Sequence, residues 1–194
     1  MAVLMIEEGK KPTGYMPEPT KNLDSIMEET IEATKEQLLD FDYESAKQTI
    51  DSYRWNYSHN HRIDEYASNP RIQLMNNHIK ILWAKANLGI VDEYKNEILT
   101  NPEQCSGELT DLCTQAALKI DDIQRTVDIV NKYLVKIEPA NVEDEFYLRK
   151  LRIENNNLNA RVNKNQEIYN NILPYVAGKI SKHKQEQQTP IKYH

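Results

Sequence analysis

The sequence has few of the residues that interrupt helices, with 5 glycines and 8 prolines among 194 residues. Long stretches without either leave room for helices of about 12 to 20 residues, whereas many short strands would need more turn residues. A chain of this length forms one domain of ordinary size. We therefore predict an all-α protein built on one helical domain.

Long apolar runs are also absent, since no stretch approaches the roughly 20 apolar residues that a membrane helix needs. The apolar start, residues 1–6, is followed by Glu7 and Glu8, and is too short and too acidic in its continuation for a secretory signal. We expect a cytoplasmic protein with no membrane partner, or a virion-associated one if the source is viral.

Cysteine is scarce, and the two present are Cys105 and Cys113. On a helix their Cα atoms would be about 12 Å apart, which exceeds disulfide reach. We expect two thiols in a reducing compartment.

Sequence motifs of enzymes and metal sites are missing as well. The chain has no glycine-rich phosphate loop, no Gly-x-Ser-x-Gly, no Cys-x-x-Cys and no Glu-x-x-His. The pair His59 and His61 reads as surface-loop histidines, and His78 as a partly buried histidine with a backbone partner. We predict no catalytic residue, no metal and no cofactor, hence a protein that is not an enzyme.

What the sequence does contain is a spacing of prolines. Pro70, Pro102, Pro139 and Pro174 follow one another at intervals near 35 residues, which is typical of stacked helical hairpins. We predict about eight helices in four antiparallel hairpins over residues 23 to about 178. The predicted turns lie at Asp40–Asp42, Leu88–Gly89, Asp121–Asp122 and the asparagine cluster that begins at Asn155.

With Pro102 as the closing proline of a 34-residue unit, Leu74, Ile81 and Tyr94 occupy large apolar or aromatic positions of the tetratricopeptide repeat. Residues 71–178 therefore resemble a degenerate tetratricopeptide repeat, although His78 and Glu97 stand where small residues are usual. The resemblance implies a right-handed solenoid whose concave face receives a peptide or another subunit. An irregular helical bundle is the alternative architecture.

Charge and turn residues divide the chain into three parts. Residues 1–20 are rich in glycine and proline and predict an extended N-terminal arm, residues 21–178 the helical domain, and residues 179–194 a basic C-terminal tail. The net charge is −7 over residues 1–70, −3 over 71–154 and +4 over 155–194. This asymmetry favours head-to-tail assembly or an acidic partner for the tail, and solvation of an exposed tail is the alternative.

Two groups of residues are candidates for contacts with other molecules. The aromatic group with arginine, of a type common at protein interfaces, is predicted to bind a protein partner, with core packing as the alternative: Tyr53, Arg54, Trp55 and Tyr57. The basic group would touch nucleic acid in an alternative interpretation: Arg149, Lys150, Arg152, Lys179, Lys182 and Lys184.

Two functions from different classes follow. The first is a non-enzymatic helical scaffold or adaptor that binds other protein subunits within a larger assembly. The alternative is a phage or viral assembly component, a connector or DNA-packaging subunit that forms a homo-oligomer with its basic tail near nucleic acid.

Overall fold

A computed structural model describes residues 23–58, 68–100 and 106–188 of the chain. Every regular element in these ranges is helical, and none is a strand, so the predicted all-α class is confirmed. A π-helical turn, Arg54–Ser58, continues the second helix. The five α-helices are α1 (Leu23–Leu39), α2 (Tyr43–Tyr53), α3 (Pro70–Thr100), α4 (Ser106–Leu134) and α5 (Val142–Gln188).

Side-chain caps explain where three of these helices begin. The Asp42 carboxylate accepts the Ser45 amide at 3.2 Å ahead of α2, after a turn in which Phe41 has φ 58°. The Asn69 side chain accepts the Arg71 amide at 2.9 Å, and Asn141 accepts the Asp144 amide at 2.8 Å. Such caps satisfy amides that have no partner inside the helix. The predicted turn at Asp40–Asp42 is confirmed.

Three other predicted turns are wrong, because each lies within a continuous helix of the described chain. Helix α3 continues through Gly89. The ring of Tyr43 packs at the position that a side chain of residue 89 would occupy. The aspartates at 121 and 122 lie on the exposed side of α4, where the helix accommodates them without a turn. Asn155 lies inside α5 and donates to the Val127 carbonyl at 3.1 Å, so it ties two helices together. The described residues hold five helices where eight were expected.

Helix α3 is the centre of the molecule and contacts α1, α2, α4 and α5. Its residues from 70 to 92 are buried or half-buried on every side, as expected of a helix covered by its neighbours. One of its faces joins a core with α1 and α2 through Ile72, Met75, Ile79 and Leu82. The other joins a core with α4 and α5 through Leu74, Ile81, Ala84, Leu88 and Val91.

Pairs of contacting side chains define the helix directions. His78 meets Tyr147, and the Tyr169 hydroxyl donates to the Val91 carbonyl at 2.9 Å, so α3 and α5 run parallel. Asn155 contacts Val127 while Arg152 donates to the Leu134 carbonyl at 3.3 Å, so α4 runs antiparallel to α5. Residues 147–169 of α5 therefore lie beside residues 78–91 of α3.

No helix in the described ranges is long and apolar enough to cross a membrane.

Candidate binding groove

A groove lies between α1 and α5, with α3 forming its floor. It consists of two adjoining cavities of about 370 and 280 Å³, which share Lys35, His78 and Lys150. The first cavity has Ile31, Met75 and Phe146 among its apolar lining, and the second has Leu38, Leu39 and Leu82. The rest of the lining is polar or charged, and in the first cavity it includes Glu28, Glu32 and Arg71.

A histidine–tyrosine pair forms the polar centre of the floor. His78 is buried, and its Nδ1 lies 2.6 Å from the Tyr147 hydroxyl, with the two rings edge to face at 5.4 Å. The partner of His78 is thus a side chain on another helix, 69 residues away in sequence. The prediction of a backbone partner is wrong.

The protonation states of this pair follow from burial. Desolvation lowers the pKa of His78 to about 4; the Glu154 carboxylate opposes this shift, and the ammonium groups of Lys35, Lys85 and Lys150 add to it. Burial also raises the pKa of the Tyr147 phenol well above its usual value. At neutral pH the floor therefore holds a neutral imidazole and a protonated phenol.

Arg71 fastens the start of α5 to α3. Its guanidinium lies 4.9 Å from the centre of the Tyr147 ring, a cation–π distance, and 3.9 Å from the buried Asp144 carboxylate. These contacts fix the wall of the first cavity that carries Phe146.

The second cavity is positively charged. Lys85 forms an ion pair with Glu154, and the remaining ammonium groups come from Lys35 and Lys150. Lys35 has an exposed partner at 3.5 Å, Glu32 of the first cavity. Within the described ranges no carboxylate lies at ion-pair distance from Lys150. Three ammonium groups thus face one carboxylate in this cavity.

An exposed apolar stripe runs along α5 next to the groove. Val142, Phe146 and Ile153 are 73%, 69% and 62% exposed, and their spacing places them on one side of the helix. Arg149 covers part of this stripe, with its guanidinium 6.0 Å from the centre of the Phe146 ring. Leu39, at the end of α1 across the groove, is 78% exposed. Apolar side chains gathered in one region of a surface mark an interaction site.

The predicted aromatic partner site divides between core and surface. Tyr53 is 5% exposed and stacks on Tyr57 at 5.5 Å, and burial raises its pKa to about 12. Arg54 lies over the Trp83 ring at 5.1 Å. Trp55 is 73% exposed. Within this group, Trp55 is therefore the ring that lies open to a partner, and its role as a contact stays a prediction.

Three of the predicted nucleic-acid residues, Arg149, Lys150 and Arg152, do not share one basic face. Arg149 pairs with Glu145 at 3.6 Å, Lys150 faces the groove, and Arg152 turns toward the end of α4. The remaining three, Lys179, Lys182 and Lys184, lie on the last turns of α5, roughly 45 Å further along the helix axis. Ten residues that were assigned to the C-terminal tail, 179–188, thus belong to helix α5.

Several predicted features lie outside the described residues, namely the N-terminal arm up to residue 20, the pair His59 and His61, and Cys105. Cys113 is a buried free thiol. In the described ranges no cluster of histidine, cysteine, aspartate or glutamate could hold a metal ion.

Sequence reasoning missed the groove itself. From the sequence, His78 is predicted only to be a partly buried histidine with a backbone partner, and no role is indicated for Tyr147. No local signal connects residues 69 positions apart, since their contact depends on the parallel packing of α3 and α5.

No protein family, no curated protein and no solved structure matches this chain. The resemblance to the tetratricopeptide repeat accordingly stays a prediction.

Proposed function

We propose that this protein is a non-enzymatic helical module that binds a segment of another protein in the groove between α1 and α5. The observation that carries the proposal is the exposed stripe of α5, in which Phe146 both lines the first cavity and continues a line of exposed apolar side chains. Burying such side chains against a partner is favourable by about 25 cal/mol per Å² of apolar surface.

The charges of the groove indicate the kind of segment that fits. Lysines at the second cavity adjoin apolar side chains, among them Leu38 and Leu39. A segment that carries apolar residues beside an acidic one would match both features, because complementary charge favours the correct partner and its register. The occupant we propose is therefore an apolar and acidic polypeptide segment of a partner protein.

The polar groups on the floor support a structural role. His78 and Tyr147 hydrogen-bond to each other, which leaves the imidazole buried and paired. A general base must reach the proton that it removes, and an imidazole held in this way serves to join α3 to α5.

The proposal is tested with random dodecapeptides displayed on phage and selected on the full-length protein. Peptides from the enriched families are synthesised and their affinities measured by fluorescence anisotropy. The test variant is Phe146→Asp, which places a charge in the groove. The matched control is Leu118→Asp, since Leu118 is similarly exposed, at 62%, on α4.

We expect Phe146→Asp to weaken binding by about tenfold or more, the equivalent of 1.4 kcal/mol or above, and Leu118→Asp to leave it unchanged. Equal affinities for both variants and the native protein would refute the groove as the site. Light scattering of the native protein addresses a second copy as occupant. A closed oligomer that dissociates on Phe146→Asp would show that the groove binds another copy, and would overturn the proposal of a different partner.

A further inference from the structure

The second cavity gathers three ammonium groups, which the fold alone does not require. Its ammonium groups come from three different helices, Lys35 from α1, Lys85 from α3 and Lys150 from α5. Positive charges in one cavity repel one another, and the cost grows as water is excluded. Neutral side chains at these three positions would allow the helices to pack equally well.

One carboxylate, on Glu154, offsets part of this charge. Glu154 is largely buried, with 19% of its side chain exposed, and it pairs with Lys85. Lys35 pairs only at 3.5 Å with the Glu32 side chain, which is 70% exposed, and exposed pairs of this kind contribute little. Lys150 therefore presents positive charge without an ion-pair partner among the described residues, and Lys35 is offset only by the exposed Glu32.

We propose that the second cavity is an anion-binding site, in which Lys35 and Lys150 hold a carboxylate or phosphate group beside the Lys85–Glu154 pair. The inference deepens the proposed function, since this cavity is one end of the same groove. The anion is either the acidic side chain of the bound segment or a small anion free in solution. Charge-assisted hydrogen bonds from ammonium groups are the strongest contacts that either source could find there.

His78 serves as a reporter of the site without taking part in it. The groups that face it are Glu28, Glu32 and Lys35 on α1, Arg71 and Lys85 on its own helix, and Tyr147, Lys150 and Glu154 on α5. The three lysines depress its pKa, so an anion that offsets their charge must raise it. Charges more than about a Debye length away are largely screened, so a rise of the His78 pKa indicates an anion bound close to it.

The experiment is an NMR titration of the His78 ring in the full-length protein at constant ionic strength, with chloride as the balancing ion. The first probe is inorganic phosphate. The second is the peptide acetyl-Ser-Leu-Glu-Glu-Leu-Ser-amide, compared with the same peptide in which both glutamates are glutamines. The variants are Lys150→Gln, Glu154→Gln and, as a control, Lys132→Gln at an exposed position of α4.

We expect phosphate or the glutamate peptide to raise the His78 pKa. Lys150→Gln should weaken that binding by about tenfold, as expected for a lost charge-assisted contact. Glu154→Gln should strengthen it, because the variant removes the competing carboxylate from Lys85. A gain of affinity cannot arise from misfolding, and Lys132→Gln should change nothing.

A response to phosphate identifies the source as a small anion, whereas a response confined to the glutamate peptide identifies an acidic side chain. The inference is overturned if neither probe shifts the His78 pKa, or if Lys150→Gln and Lys132→Gln bind alike. If selected peptides depend on Phe146 but not on Lys150 or Glu154, the proposed function stands and the anion site alone fails.

Discussion

Acidification should destabilise the protein through His78, and the structure sets the pH range. The pKa of this imidazole is lowered to about 4 in the folded chain, against roughly 6.5 in an unfolded one. Between these values the unfolded chain binds a proton that the folded chain does not. The stability that neutral His78 contributes is therefore complete above about pH 6.5 and is lost as the pH falls toward about 4.

The size of the effect follows from the two pKa values. At about pH 4.5 the unfolded histidine is almost fully protonated and the folded one is mostly neutral, which removes about 2 to 3 kcal/mol of stability. This is a substantial part of the 5 to 15 kcal/mol by which domains are typically stable. The lysines around the cavity deepen the effect, since each opposes a charge on the imidazole.

The assay is urea unfolding at several pH values between about 7.5 and 4.5, followed by circular dichroism. Carboxylates also titrate in this range, so the comparison is with His78→Asn, whose amide places a polar atom near the position of Nδ1 without a titration. The free energy of unfolding of the native protein should fall by about 2 to 3 kcal/mol more than that of the variant. Parallel pH profiles for the two proteins would refute a buried, neutral His78.

Three further predictions concern the packing that shapes the groove, each read from the free energy of unfolding in urea. Gly89→Ala should destabilise the protein by about 1 to 3 kcal/mol, because the new methyl would overlap the Tyr43 ring. In a Tyr43→Ala background the same change should stabilise by up to about 1 kcal/mol through helix propensity, and the same sign in both backgrounds would contradict the contact. Asn155→Ala should cost about 1 to 3 kcal/mol, as it removes a buried hydrogen bond between helices. The control Asn156→Ala, at an exposed position, should change the stability by less than about 0.5 kcal/mol. Equal losses in the two variants would count against the bond. Tyr169→Phe should cost about 1 kcal/mol, since it removes a buried hydroxyl donor to α3, and an unchanged stability would argue against that bond.

Local sequence preferences are sufficient for the helical class and for much of the inward-facing pattern. The buried residues of α2, Ala46, Ile50 and Tyr53, recur at helical spacing, as do Ile72, Met75, Ile79 and Leu82 on one face of α3. The turn at Asp40–Asp42 was also predictable. These features follow from local preferences and periodicity, which act over a few neighbouring residues.

Long-range packing determines which of the predicted turns interrupt a helix and where the groove lies. Glycine and asparagine are common in turns, yet Gly89 and Asn155 lie within helices. A ring packs against Gly89 and a cross-helix hydrogen bond holds Asn155, so burial outweighs local propensity. The second buried face of α3 was equally hidden, since it depends on α4 and α5 covering it. The pairing of His78 with Tyr147 arises from the parallel contact of α3 and α5, and no short-range pattern encodes which distant helices meet.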